Sequence, residues 1–183
     1  GRRLYHRAFG KPVEVKETEA EGIRTWTWET RNLRPRPSAE EYPLVEEVWS
    51  GIYFSSFDDW EQVGRWEGPL WREKLQITPA IRETALKLTE AHPNSQDKIA
   101  AICRYCRDRI RYRGHEHLSG LVPRLPDEVI ACGCGDCKDV AAVACALFQT
   151  IGIKAYPVTL LTEGSGQTPH DIPCPEGDHV IVL

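Results

Sequence analysis

The chain has 183 residues, of which 41% are hydrophobic and 27% charged. That is the make-up of a globular protein with enough length for one full core. A net charge of -4 gives no basis for a nucleic-acid or membrane-surface partner, and no apolar run is long enough to span a bilayer.

Methionine is absent, and the chain opens on Gly1. Its last residues, His179-Val180-Ile181-Val182-Leu183, read as a strand with no polar tail. The expectation is a piece cut at both ends. Seven cysteines are an odd number, and Cys103, Cys106, Cys132, Cys134 and Cys137 cluster. That clustering points to chemistry or metal more than to a disulfide framework.

Residues 11–32 read as a β-hairpin. Pro12 to Lys16 alternates, Glu19-Ala20-Glu21-Gly22 makes the turn, and Ile23 to Thr30 alternates with Trp26 and Trp28 on one face. Arg34-Pro35-Arg36-Pro37 and Pro43 suit an extended linker or a sheet edge. Val48 to Phe54 suits another strand. From Ser56 the period becomes helical: Ser56, Asp58 and Asp59 can cap a helix carrying Trp60, Val63 and Trp66 on related faces.

Thr78-Pro79 is an N-cap followed by a first-turn proline, and Ile81, Ala85 and Leu88 mark the stripe of the next helix. Asn94 or Ser95 caps a third helix, with Ile99, Ile102, Cys103, Cys106 and Ile110 on one face. Residues 113–126 read as loop, and a short helix runs from Pro126 to Ala131. Cys132-Gly133-Cys134-Gly135 is a glycine-interrupted loop opening onto a strong helix. Its stripe is Val140, Val143, Ala144, Leu147 and Ile151, with Gly152 as C-cap. Ile153 to Leu161 reads as a strand, 162–177 as a long loop and His179 to Leu183 as a strand.

The chemistry concentrates at Gly135-Asp136-Cys137-Lys138-Asp139. A thiol attacks a carbonyl as thiolate. Cys137 falls in the first turn of its helix, where unpaired N–H groups and the helix dipole favour negative charge. The Cys137 backbone N–H is a candidate oxyanion donor. Gly133 and Gly135 let the loop bend and a substrate approach the backbone. His179, distant in sequence, is the candidate base, because Cys–His pairs usually meet in space only.

The segment from about Thr78 to Leu183 resembles the transglutaminase-like core, a branch of the papain-like cysteine hydrolase fold. The matching features run in order. Ile110-Arg111-Tyr112 ends a helix, and the Pro126-Asp127-Glu128-Val129 turn follows a loop. Then come Gly135-Asp136-Cys137-Lys138-Asp139, Gly152-Ile153 and Asp178-His179-Val180-Ile181-Val182. The tryptophan-rich Ser56 to Trp71 is similar to the join in bacterial proteins where a β-rich domain precedes this core.

The resemblance implies an α+β fold, with a helix-borne cysteine packed on an antiparallel sheet. It divides the chain into β-rich strands (1–54), a Trp-rich linker helix (55–77) and the core (78–183), truncated at its C-terminus. It implies a cysteine protease or amidase with Cys137 as nucleophile and His179 as acid and base, acting on peptide or glutamine-type amides of a peptide or protein substrate. No cofactor or metal is implied. Gly135, Asp136 and Tyr112 are the further cleft or oxyanion candidates. The family's third triad member, an acid, belongs to the strand after the histidine strand. Asp178 should point to the other face of the strand from His179 and is not assigned that role. Extracytoplasmic location follows from the resemblance only, and oligomeric state is left open.

Two rival readings stand beside this one. The first is an inactive binding or scaffolding module that keeps the fold. The second is a zinc module built on the extra cysteines. For the latter, Cys103 and Cys106 lie within a helix on its apolar face, whereas structural zinc cysteines usually come from turns. A disulfide or redox role for Cys132 or Cys134 is open. His115-Glu116-His117 reads as a solvated loop. Trp49, Trp60, Trp66 and Trp71 read as an interface between the N-terminal strands and the core, with a carbohydrate or peptide groove as the minority reading.

Overall fold

The computed structural model describes residues 3–9, 14–31, 51–114, 120–162, 171–175 and 177–183. The readings made for 32–50, including Trp49 and the Arg-Pro run, and for His115-Glu116-His117 lie outside these residues. The chain forms two compact units. One comprises residues 1–63 and 161–176, the other 64–160 and 177–183.

In the first unit, β1 (Tyr5–Phe9) pairs antiparallel with β4 (Gly51–Ser55), with Tyr5 opposite Ser55. β2 (Val15–Ala20) and β3 (Ile23–Trp28) form the expected hairpin. Its two-residue turn places Glu21 at φ 52° and Gly22 at φ 75°, the doubly left-handed turn that matches strand twist. Both hairpin strands are largely exposed, but His6 of β1 lies against Trp26 and Trp28, with ring centroids 5.4 and 5.2 Å away. The buried Ser55 hydroxyl donates to the Pro173 carbonyl at 2.6 Å. That bond fastens part of the long loop to this unit.

Helix α1 (Trp60–Lys74) begins where Asp59 accepts from the Gln62 N–H at 2.6 Å, and it continues past Pro69. Its buried residues are Val63 and Trp71. Trp60 and Trp66, expected on a related face, are 43% and 42% exposed.

In the second unit, α2 (Pro79–Thr89) and α3 (Ser95–Arg109) start at the predicted caps. Thr78 Oγ1 accepts from the Ile81 N–H at 3.2 Å, and Asn94 Oδ1 from the Asp97 N–H at 2.8 Å. The inward stripe of α3 and the residue after it is Ile102, Cys106 and Ile110, spaced four apart. Ile99 and Cys103 are exposed, contrary to the wider stripe expected.

α4 (Pro126–Cys132) ends at Gly133, which takes φ 62°. α5 (Cys137–Thr150) is buried on nearly every side: Ala141 to Phe148 are all buried, with Lys138 and Asp139. A single apolar stripe was expected. The alanines at 141, 142, 144 and 146 let neighbours approach from several directions, so the helix becomes the centre of the unit. Val143 and Leu147 of the helix, and Ile81, Ile102 and Val129 around it, have no exposure at all. Each such side chain contributes about 1.5–3 kcal/mol by transfer from water.

Gly152 caps α5 at φ 77°. β7 (Pro157–Leu160) is shorter than the strand expected from Ile153, although Tyr156 already exchanges backbone hydrogen bonds with Leu183 at 2.8 and 3.0 Å. It pairs antiparallel with β8 (His179–Val182), with Leu160 opposite His179. Val180 and Val182 of β8 pack on the cluster of Trp71, Ala141 and Ala142. The helix-on-antiparallel-strands arrangement is thus present, as α+β. Among the described residues no helix is long and apolar enough to cross a membrane.

Candidate active site

The site is built around the start of α5. Asp136 is the N-cap, and its carboxylate accepts from the Asp139 N–H at 3.2 Å. The Asp139 carboxylate accepts in return from the Asp136 N–H at 3.3 Å. This reciprocal box satisfies two N–H groups that a helix start leaves over. Val140 donates to the Asp136 carbonyl at 3.0 Å. Among the described residues, the N–H groups of Cys137 and Lys138 have no acceptor. Cys137, half-buried, is the first residue of the helix.

A buried ion pair holds this start in place. Asp139 has no exposure and receives three bonds from Arg124: backbone N–H at 2.8 Å, Nε at 3.0 Å and Nη2 at 2.9 Å. Arg124 Nη2 also donates to the Cys134 carbonyl at 2.7 Å. The guanidinium thus joins the cysteine loop to the helix through a two-pronged, charge-assisted contact. Lys138 turns back to form an ion pair with the Asp136 carboxylate, and both side chains are largely buried.

Gly135 is also needed inside the fold. A Cβ there would lie 2.7 Å from Asp139 Cβ and 3.3 Å from Val129 Cγ1. The glycine lets the loop close on Asp139. Gly135→Ala is expected to destabilise the protein by about 1–3 kcal/mol through overpacking, read as a lower thermal midpoint.

Tyr112 reaches the site through a short parallel pairing of β5 (Arg111–Tyr112) with β6 (Cys134–Gly135), in which Tyr112 lies beside Gly135. Partial burial raises the Tyr112 phenol above its ordinary range, and the negative charge of Cys137 and a hydrogen bond with that side chain raise it further. Asp136 and Asp178 act in the same direction. Tyr112 therefore senses groups from both the α5 start and the residue before β8. Its ring lies over Gly114, where a Cβ would come within 2.5 Å of it.

The predicted residues are thus brought together in part. Cys137, Asp136, Gly135 and Tyr112 form one cluster. His179 heads β8, which packs on α5, but among the described residues no hydrogen bond joins it to Cys137. Val180 and Val182 carry the face of β8 that meets α5, so regular alternation sets His179 on the face of Ile181. Asp178, set aside from sequence, is the acid at this end of β8 whose charge reaches Tyr112. The Arg124–Asp139 pair was missed altogether. Its one sequence signal was a carboxylate at the third position of a helix that opens on an aspartate.

The rival sites are less developed. Among the described residues no three histidine, cysteine or acidic side chains converge in a way that could hold a metal. Cys106 and Cys145 are buried, and burial pushes their thiols up to about 12 and about 11. In the first unit, a cavity of about 480 Å³ is lined by Arg3, Tyr5, His6, Glu17 and Trp26, among others. Arg24 on its wall already pairs with Glu17 and Glu19.

Residues 82–181 match the family described as the transglutaminase-like superfamily. No curated protein matches the chain. A solved structure of a protein described as a putative protease from Parabacteroides distasonis ATCC 8503 aligns with a TM-score of 0.73 and 16% identity. The alignment covers 99% of this chain and 35% of that one. At this identity the likeness establishes the fold, and this chain spans about a third of that protein's length.

Proposed function

The chain belongs to the transglutaminase-like superfamily, and on that premise we propose that it is a cysteine-dependent protease or amidase acting on peptide or glutamine-type amides. The Cys137 thiolate attacks the amide carbonyl, and a carbon–sulfur bond forms. The Cys137 N–H holds the oxyanion. His179 delivers the proton it took from the Cys137 thiol to the departing amine as the carbon–nitrogen bond breaks, leaving a thioester. Water or an amine then attacks the thioester, His179 takes its proton, the carbon–sulfur bond breaks and the Cys137 thiolate is released.

One observation carries this reading. Cys137 is the first residue of a helix whose capping box uses the Asp136 and Asp139 N–H groups and leaves that of Cys137 without an acceptor. The family match and the description of the solved relative as a putative protease support it. The mechanism requires His179 to turn from the face of Ile181 toward the thiol, because no hydrogen bond joins the two in the free chain. That arrangement favours, as a second reading, a binding module that keeps the fold without the chemistry.

Alkylation by iodoacetamide separates the two. Near neutral pH, Cys137 is expected to react faster than the exposed Cys103, and a His179→Ala chain is expected to lose that advantage. Equal rates at Cys137 and Cys103 in the unsubstituted chain would sink the enzymatic reading.

A further inference from the structure

We infer that Cys132 and Cys134 form a dithiol site that low-molecular-weight disulfides oxidise to an internal disulfide. The inference does not rest on the role of Cys137. The two sulfurs lie 3.1 Å apart across Gly133. Cys132 is exposed and Cys134 half-exposed, so a small reagent can reach them. Gly133 takes φ 62°, the conformation that turns the chain and brings the flanking residues together. Arg124 Nη1 lies 3.6 Å from Cys132 Sγ, while its Nη2 holds the Cys134 carbonyl at 2.7 Å.

These contacts divide the labour between the sulfurs. As a thiol, Cys132 donates to the Cys134 carbonyl at 3.0 Å. As a thiolate, it accepts from the Cys134 thiol and from Arg124. The hydrogen bond from Cys134, with help from Arg124, lowers the Cys132 thiol below its ordinary range, and the same partnership raises that of Cys134. Cys132 is therefore the attacking sulfur and Cys134 the resolving one.

The exchange balances. Cys132 thiolate attacks one sulfur of the reagent, a mixed disulfide forms, the reagent's S–S bond breaks and one thiolate leaves. Cys134 then gives its proton to solvent and attacks Cys132 Sγ. The protein disulfide forms, the mixed disulfide breaks, and the second thiolate leaves. The two protein sulfurs are oxidised, and the two reagent sulfurs are reduced and take up protons from water. A bridge across a single residue is strained, and such exposed, strained bridges are the readily reduced ones.

The test uses the whole chain equilibrated with oxidised and reduced glutathione, quenched, alkylated and digested with trypsin. The fragment 125–138 carries Cys132, Cys134 and Cys137 together. Under oxidising ratios it is expected to lose two hydrogens and two alkylatable thiols, with alkylation remaining on Cys137. A Cys137→Ser chain should close the same bridge, and a Cys134→Ser chain should keep glutathione on Cys132. Three alkylated thiols under oxidising ratios would overturn the inference. So would a bridge that includes Cys137, or a Cys134→Ser chain that takes glutathione at Cys132 no faster than at Cys103.

Discussion

A Cys137→Ala chain is expected to lose about 10³-fold or more of its amide hydrolysis, the scale of loss when a covalent nucleophile is removed. Ammonia release from glutamine-containing peptides, together with peptide cleavage, measures it. The thermal midpoint should stay nearly unchanged, because Cys137 is half-buried and no hydrogen bond of the capping box uses its side chain. Retained turnover would exclude the thioester route. A chain that loses both turnover and its thermal midpoint would place Cys137 in the structure rather than in the chemistry.

The second large effect concerns stability. Asp139→Ala removes an unexposed carboxylate that receives four hydrogen bonds, three from Arg124 and one from the Asp136 N–H. Breaking one partner out of a buried pair costs about 3–5 kcal/mol. The loss should fall near the lower end, because the Arg124 side chain is 24% exposed and water can reach it. Urea unfolding should show a lower midpoint at unchanged slope. A shift below about 1 kcal/mol, the scale of an exposed pair, would mean that the contact is a surface one in solution. Asp139→Asn, which keeps the shape and one acceptor, should recover part of the loss.

The local signals in the sequence were good guides where one residue decides one feature. Thr78 before Pro79, Asn94, the Glu21-Gly22 turn and Gly152 each fix a boundary through their own backbone or side-chain chemistry, and each boundary appears where expected. Cys137 at the head of α5 was legible for the same reason. Features set by three-dimensional neighbours were not. The burial of α5 on nearly every side depends on helices remote in sequence, and its alanines carry no periodic signature of it. Arg124 reads as one cation in a loop until the fold sets it on Asp139, fifteen residues away. The need for glycine at 135 was legible, but the close approach to Asp139 was not, because that contact exists only in the folded chain. The rotation of β8 about its own axis is likewise a packing outcome, decided by Val180 and Val182 against α5.

The enclosure of α5 has a mechanical consequence. An element packed on nearly every side opens only with the unit as a whole, so its first residue is mounted on the stiffest part of the molecule. Cys137 cannot travel to meet a bulky amide. Any adjustment to substrates of different size must come from the less buried pieces around it, exposed Tyr112 among them. Selectivity among amides would then reside in how those pieces move, while the position of the sulfur stays constant from one substrate to the next.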